Sequence, residues 1–303
     1  MKLVMTLLAH DEADIVGDQI AFHLAAGVDF VIATDHRSSD GTTEILEGYA
    51  REGRLHLIRE QSERVRQSEW VTRMARLAAG EHGADWVINS DADEFWWPRS
   101  GSLKDVFAAV PPQIGVVRAV VRPFVPRPGD EWFADRMTVR LTLSAALNDP
   151  SSSFRHVAKV AHRGHPEVVV EQGNHVVSGV ELTGLPWWFP IELFHFPLRS
   201  AKQLGRRRQS GWPGHLRGDH ARWDAYDQVA LDDAAVVRGL RERSLVVDTR
   251  LQEALARRAG AGSSAVADVS RAIDGAVLLE AELVRLTRRS DELRRRIYGS
   301  RRR

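Results

Sequence analysis

The chain has 303 residues, a formal net charge of +1 and no cysteine. That length holds one large domain or one domain with an appendage, and a near-neutral balance gives no global pull towards nucleic acid or an acidic surface. Without cysteine, disulfides, thiol nucleophiles and cysteine-ligated zinc or iron–sulfur centres are excluded.

Hydrophobic residues at 43% and charged residues at 27% match a soluble globular protein. The N-terminus, MKLVMTLLAHDE, has one lysine and a short apolar run that turns acidic. It reads as a buried first strand and not as a signal peptide. The sequence has no run of about 18 apolar residues to cross a bilayer. Together these features point to the cytoplasm.

The first hundred residues alternate strand-like and helix-like segments. Apolar runs at 2–9, 28–35, 55–58 and 85–91 have strand length. Between them, 11–26, 41–53 and 63–80 read as helices, with Gly53 as a stop. Such alternation implies an α/β fold, a mostly parallel sheet flanked by helices. Ligands of these sheets bind beyond the carboxyl ends of the strands, where Asp35 and Asp91 fall. A further strand is expected at 115–122. Residues 123–200 are rich in Pro, Gly, Trp and His, with short strands such as EVVV and VVSGVEL, and read as an irregular antiparallel region.

The segment INSDADEFWWP, 88–98, concentrates the chemistry. On an extended backbone Asp91 and Asp93 point to one face, where they repel unless a cation or a donor sits between them. Oxygen ligands of this kind suit Mg²⁺ or Mn²⁺ held with substrate phosphates. An Asp here could equally cap a helix. The stretch TDHRSSDGT, 34–42, is a second acidic strand end: Ser38, Ser39 and Asp40 precede a helical pattern and suit its capping. Asp35 could accept hydrogen bonds from a nucleobase or a ribose. Trp96, Trp97, Trp132, Trp187 and Trp188 offer faces for sugar rings or filling for a core.

LLAHDEADI, TDHRSSDGT and WVINSDADEF occur in the order and β/α context of family 2 glycosyltransferases, and the first third of the chain resembles that family, most of all its subgroup with a DxDEF signature. Asp11 stands where Asn is common, and His36-Arg37 replace Asp-Gly. Further on, FHFPLRSAKQ at 194–203 is similar to the subgroup's His-aromatic segment. The resemblance implies a GT-A (Rossmann-like) domain over 1–200, with a nucleotide-sugar half at 1–100 and an acceptor- and metal-completing half at 101–200. It implies a metal-dependent transfer of sugar from a nucleotide-diphospho-sugar to a hydroxyl, with inversion. Asp11, Asp35, Asp91, Arg199 and Lys202 would then contact the donor. Asp91, Asp93 and His195 would hold Mn²⁺ or Mg²⁺, with His175 as the alternative histidine. The general base would come from PGDEWFAD at 128–135, where Glu131 and Asp130 are nominated, with Asp135 behind them. Arg199 and Lys202 read equally as the exposed start of a helix.

Residues 201–303 read as a helical region. GAGSS at 260–264 suggests a hinge, and 266–298 carries a near-heptad apolar seam that suits a coiled coil and a homo-oligomer. The basic end, 288–303, is either a charged helix with a frayed tail or a contact for anionic lipid at the membrane periphery. No nucleic-acid motif accompanies it. The acceptor, whether glycan, lipid-linked or small molecule, is not legible. Two other accounts remain: a non-catalytic scaffold on a degenerate transferase domain, and a sugar-phosphate nucleotidyltransferase, whose Gly-rich loop after the first strand AHDEAD does not supply.

Overall fold

The first strand, β1 (Leu3–Ala9), is buried along its whole length because it is covered on both sides. Side chains alternate across a strand. Leu3, Met5 and Leu7 accordingly enter one apolar cluster and Val4 the opposite one. That is why the run is apolar at every position but Thr6 instead of alternating with polar residues. The computed structural model describes residues 1–127, 129, 131–142, 158–185, 188–200, 203 and 233–260. Asp130, Trp187, Lys202, the hinge beyond Gly260, the seam at 266–298 and the basic end lie outside the described residues.

Seven further strands join β1 in an eight-stranded sheet: β2 (Phe30–His36), β3 (Leu55–Glu60), β4 (Trp86–Asp91), β5 (Glu94–Pro98), β6 (Val116–Pro123), β8 (Ala158–Arg163) and β11 (Ile191–His195). The order is β3-β2-β1-β4-β8-β6-β11-β5. Strands β3, β2, β1 and β4 pair in parallel, and β11 pairs in parallel with β6. β8 runs antiparallel to both β4 and β6, and β5 antiparallel to β11. The sheet is therefore mixed: only β5 and β8 oppose the common direction. Small two-stranded pairings join β9 (Val169–Val170) to β10 (Val177–Ser178) and β7 (Val139–Leu141) to β12 (Leu245–Val247).

Helix α1 (Val16–Ala25), α2 (Thr42–Arg51) and α4 (Leu103–Ala108) cover one face, with Ile20, Leu46 and Phe107 in the larger cluster. α3 (Gln67–Gly80) covers the other through Val71, Met74 and Ala78. A short α5 (Phe133–Arg136) and the later α6 (Asp233–Arg241) and α7 (Arg250–Gly260) complete the described elements. α7 brings Leu251 and Leu255 to the larger cluster. Its entry is pinned by charge: Arg250 reaches Glu192 at 2.9 Å and Asp248 at 2.7 Å. Arg122 joins Glu192, which is 0% exposed. Burial opposes ionisation of Glu192, but Arg122, Arg250 and Arg99 pull it down to about 2.

β5 follows the acidic turn and was not foreseen as a strand. Trp96 and Trp97 are both 0% exposed, so they pack beneath the site and do not wall it. Trp97 stacks on Phe22 and Phe194. The Trp96 amide donates to His23 Nε2 at 3.0 Å, and His23 Nδ1 meets the Gln19 carbonyl at 2.7 Å. Buried there, His23 is pushed down to about 4. Its neutral form thus stabilises the fold fully above the unfolded value near 6.5, and that stability is lost as pH falls towards 4. His23→Gln should flatten the acid limb of the stability–pH profile by one proton, about 1.4 kcal/mol per pH unit between those values. Denaturant unfolding at stepped pH measures it, and an unchanged slope would assign the acid limb to other groups.

Candidate active site

The shared direction of β1, β2, β4, β6 and β11 puts their carboxyl ends on one edge of the sheet. Asp91 and His195 end their strands there, and Asp35 is the last residue but one of β2. The β5 start, with Asp93 and Glu94, lies beside them, since Glu94 is opposite His195 in register.

The loops after β1 and β2 are stitched together. Asp11 sits at φ 55° and accepts at 2.8 Å from the Ser39 amide, while its own amide donates to Ser38 Oγ at 3.0 Å. The Glu12 amide donates to Thr42 Oγ1 at 2.8 Å and the Ala13 amide to Asp40 at 3.2 Å. Asp40 also accepts from the Thr42 amide at 3.1 Å, but it stands one residue before the cap of α2, which is Gly41 and carries no side-chain cap bond, so the capping suggested for this stretch is not made. Ser38 and Ser39 serve Asp11 instead. Asp35 is buried, held by Thr43 Oγ1 at 2.5 Å and the Ser38 amide at 3.3 Å. Gly41, at φ 104°, makes the turn that a side chain would strain. Arg37 takes φ 54°, at the position where the resembled family carries glycine. Arg37→Gly should therefore stabilise by about 0.5–1 kcal/mol, left-handed strain relieved minus the added chain entropy of glycine. Equilibrium denaturation would show this. A loss above about 1 kcal/mol would mean that the arginine side chain makes contacts that outweigh its strain.

Asp91 and Asp93 face different partners. Asp91 Oδ2 lies 2.7 Å from Lys159 Nζ, and Asp91 Oδ1 accepts from Asn174 at 3.2 Å and Gln67 at 3.4 Å. Lys159 also bridges to Glu94 at 2.9 Å. Burial pushes Glu94 up to about 7, against the opposing pull of Lys159. Burial works against the ammonium of Lys159 too, but Asp91 and Glu94 outweigh it and raise its pKa. Asp93 Oδ2 lies 3.5 Å from His195 Nε2 and 3.9 Å from Arg199 Nη1. Burial disfavours a charged His195, but Asp93 raises its pKa above the ordinary value.

The expected three-ligand set of Asp91, Asp93 and His195 is not assembled. Asp93 and His195 face each other, whereas Asp91 is engaged by Lys159. Among the described residues no three His, Asp or Glu side chains form a metal-holding group. His175 meets the Ala158 carbonyl at 2.9 Å and neighbours Asn174 on the Asp91 side.

Arg199 also departs from its expected role. Its side chain is 0% exposed and forks onto Asp14 at 2.8 and 2.9 Å, with Glu12 and the Phe196 carbonyl completing its bonds. It ties the β1 loop to Asp93 and is neither an exposed helix start nor a group reaching out for a diphosphate. Its carbonyl accepts from the Gly129 amide at 3.3 Å and Arg136 Nη2 at 3.2 Å, which brings the 129–136 segment alongside. Within that segment Glu131 is 75% exposed and 3.3 Å from Arg136, and Asp135 accepts from Gln252 at 3.0 Å. Trp132 donates to Asp18 at 2.8 Å, and Trp188 packs half-buried against the core.

Sequence reasoning missed Lys159, Glu12, Asp14, Gln67 and Asn174. Only Lys159 carried a signal: it is the one lysine or arginine among the four buried central residues of AKVAHR.

Residues 5–113 match the model of glycosyltransferase family 92. The acidic cluster at 91–94 falls within the matched residues, and the matching model is that of family 92 where the motifs resembled family 2. A search of the curated proteins returns no match. Among solved structures, S. aureus TarS 1-349 is similar at a TM-score of 0.37 and 12% identity, over 90% of each chain. The same fragment in complex with UDP gives 0.36 and 12%, over 87% of this chain and 93% of that one. Glucosyl-3-phosphoglycerate synthase from Mycobacterium tuberculosis, in complex with Mn²⁺, UDP and phosphoglyceric acid, gives 0.28 and 18%, over 42% and 44%. The aligned part spans 23% of a longer TarS chain, so this chain spans less than half of that protein and of the synthase.

Proposed function

We propose that the protein is a glycosyltransferase that takes a sugar from a nucleotide-diphospho-sugar at the carboxyl end of its sheet. The observation that carries this reading is the facing pair of Asp93 and His195, 3.5 Å apart at that edge, within reach of the segment that matches a glycosyltransferase family. The carboxylate oxygen suits Mn²⁺ or Mg²⁺, which take further ligands from substrate phosphates and water, and the imidazole nitrogen beside it favours Mn²⁺, the transition metal, over the harder Mg²⁺. Bound there, the ion would neutralise charge on the departing diphosphate.

The remaining roles belong to the chain's own side chains. Arg199 holds Asp93 in place and prevents it from turning away to solvent. Asp35, fixed by Thr43 and the Ser38 amide, accepts a hydrogen bond from the ribose or base. Asp11 acts on the donor through the β1–β2 loop pair that it fastens, while Lys202 remains a donor-contact nominee. The general base comes from the 129–136 segment, which hydrogen-bonds to the Arg199 carbonyl. Glu131 and Asp130 are its nominees, and inversion follows if one of them deprotonates the acceptor hydroxyl as the sugar transfers. The reading extends to a glycan, lipid-linked or small-molecule acceptor, a cytoplasmic location, membrane contact through the basic end and self-association through 266–298.

Calorimetric titration with UDP, GDP and dTDP, each with Mn²⁺ and with EDTA, tests it. One nucleotide should bind in a Mn²⁺-dependent way, and Asp93→Ala should abolish that binding. If folded protein binds none of them, the donor site is wrong and the scaffold account takes its place.

A further inference from the structure

Lys159 is carried by β8, the antiparallel strand inserted between β4 and β6. Its side chain is 7% exposed and its ammonium contacts Asp91 at 2.7 Å and Glu94 at 2.9 Å. A buried ammonium persists only where carboxylates repay its lost hydration, and here two of them do. The other Asp91 oxygen is taken by Asn174 and Gln67. Both oxygens of Asp91 therefore have donors from the chain itself, while Asp93, two residues on, turns to His195 and Arg199.

We propose that Lys159 is a resident cation of the donor site: its ammonium neutralises Asp91 and Glu94 in place and keeps Asp91 out of the coordination of the exchangeable divalent ion, which Asp93 and His195 hold. The inference rests on the donor-site reading above and refines it. A fixed positive charge beside the ion weakens the ion's binding to the protein alone. The ion then depends on the diphosphate it arrives with, as suits a metal ordinarily held by few carboxylates and substrate phosphates. Lys159 is thus a positioning residue: it acts through Asp91 and through the field at the ion.

The test titrates Mn²⁺ alone into the full chain, following heat and the electron paramagnetic signal of the free ion. Wild type, Asp91→Asn, Asp93→Asn, Lys159→Met and Lys159→Met/Asp91→Asn are compared, each checked for folding by circular dichroism. Asp93→Asn should weaken Mn²⁺ binding more than about tenfold, and Asp91→Asn should change it less than about threefold. Lys159→Met should tighten it about tenfold, and the added Asp91→Asn should cancel that gain. Equal losses in Asp91→Asn and Asp93→Asn, or no tightening in Lys159→Met, overturn the proposal. If wild type binds no Mn²⁺ alone, the metal part of the donor-site reading is decided by the nucleotide titrations with Mn²⁺ and with EDTA, because the ion is expected to arrive with the diphosphate. Lys159→Met then decides: newly acquired, Asp91-dependent binding supports the resident cation, and none overturns it. If Lys159→Met does not fold, Lys159→Gln replaces it in every arm.

Discussion

A guanidinium buried among carboxylates organises the carboxyl end of this sheet. Arg199 joins Glu12 and Asp14, which lie in the β1 loop 185 or more residues away in sequence, to Asp93 in the turn before β5. Removing the guanidinium from between the nearly buried Glu12 and Asp93 leaves uncompensated charge and costs about 3–5 kcal/mol, whereas Asp14, 45% exposed, is screened by solvent. The planar fork of arginine engages Asp14 with two parallel bonds, which fixes orientation as well as proximity. The Arg199 carbonyl receives the 129–136 segment. One residue therefore sets where the β1 loop, the acidic turn and the segment nominated for the base stand relative to one another.

A second buried cation, Lys159, does the same for Asp91 and Glu94. The acidic turn is thereby divided: its first aspartate faces an ammonium and its second faces an imidazole and a guanidinium. A sheet edge this rich in carboxylate would repel itself apart without internal cations. With them, the side chains are held before any ligand arrives, which is how binding groups become effective in a preorganised site. The same device recurs away from the site, where Glu192 with Arg122 and Arg250 fastens the entry of α7 to the sheet.

The parallel half of the fold was legible because each strand from β1 to β4 is a short apolar run between amphipathic helices. Burial on both faces leaves a plain mark in the sequence. The strand ends carried Asp35, Asp91 and Asp93 in view for the same reason. β5, β8 and β11 were not legible as strands. Each is held by partners far away in sequence: Trp97 stacks on Phe194, and Lys159 pairs with Asp91 and Glu94. Aromatic residues in FWWP suit a sugar platform or a core equally well, and only the sheet decides between them. Arg199 was noticed but given an outward role, because nothing local announces that Glu12 and Asp14 will fold onto it. Arg37, in place of a glycine, marked a left-handed turn that residue type alone would have argued against.

The central claim is that a donor diphosphate and its divalent ion meet at Asp93 and His195. Anomalous diffraction at the manganese edge, from crystals grown with Mn²⁺ and the nucleoside diphosphate that binds, tests it most directly. The account predicts one peak about 2.0–2.3 Å from an Asp93 oxygen and His195 Nε2, with Lys159 still on Asp91. A peak on Asp91 with Lys159 displaced, or a nucleotide bound away from this edge, would contradict it.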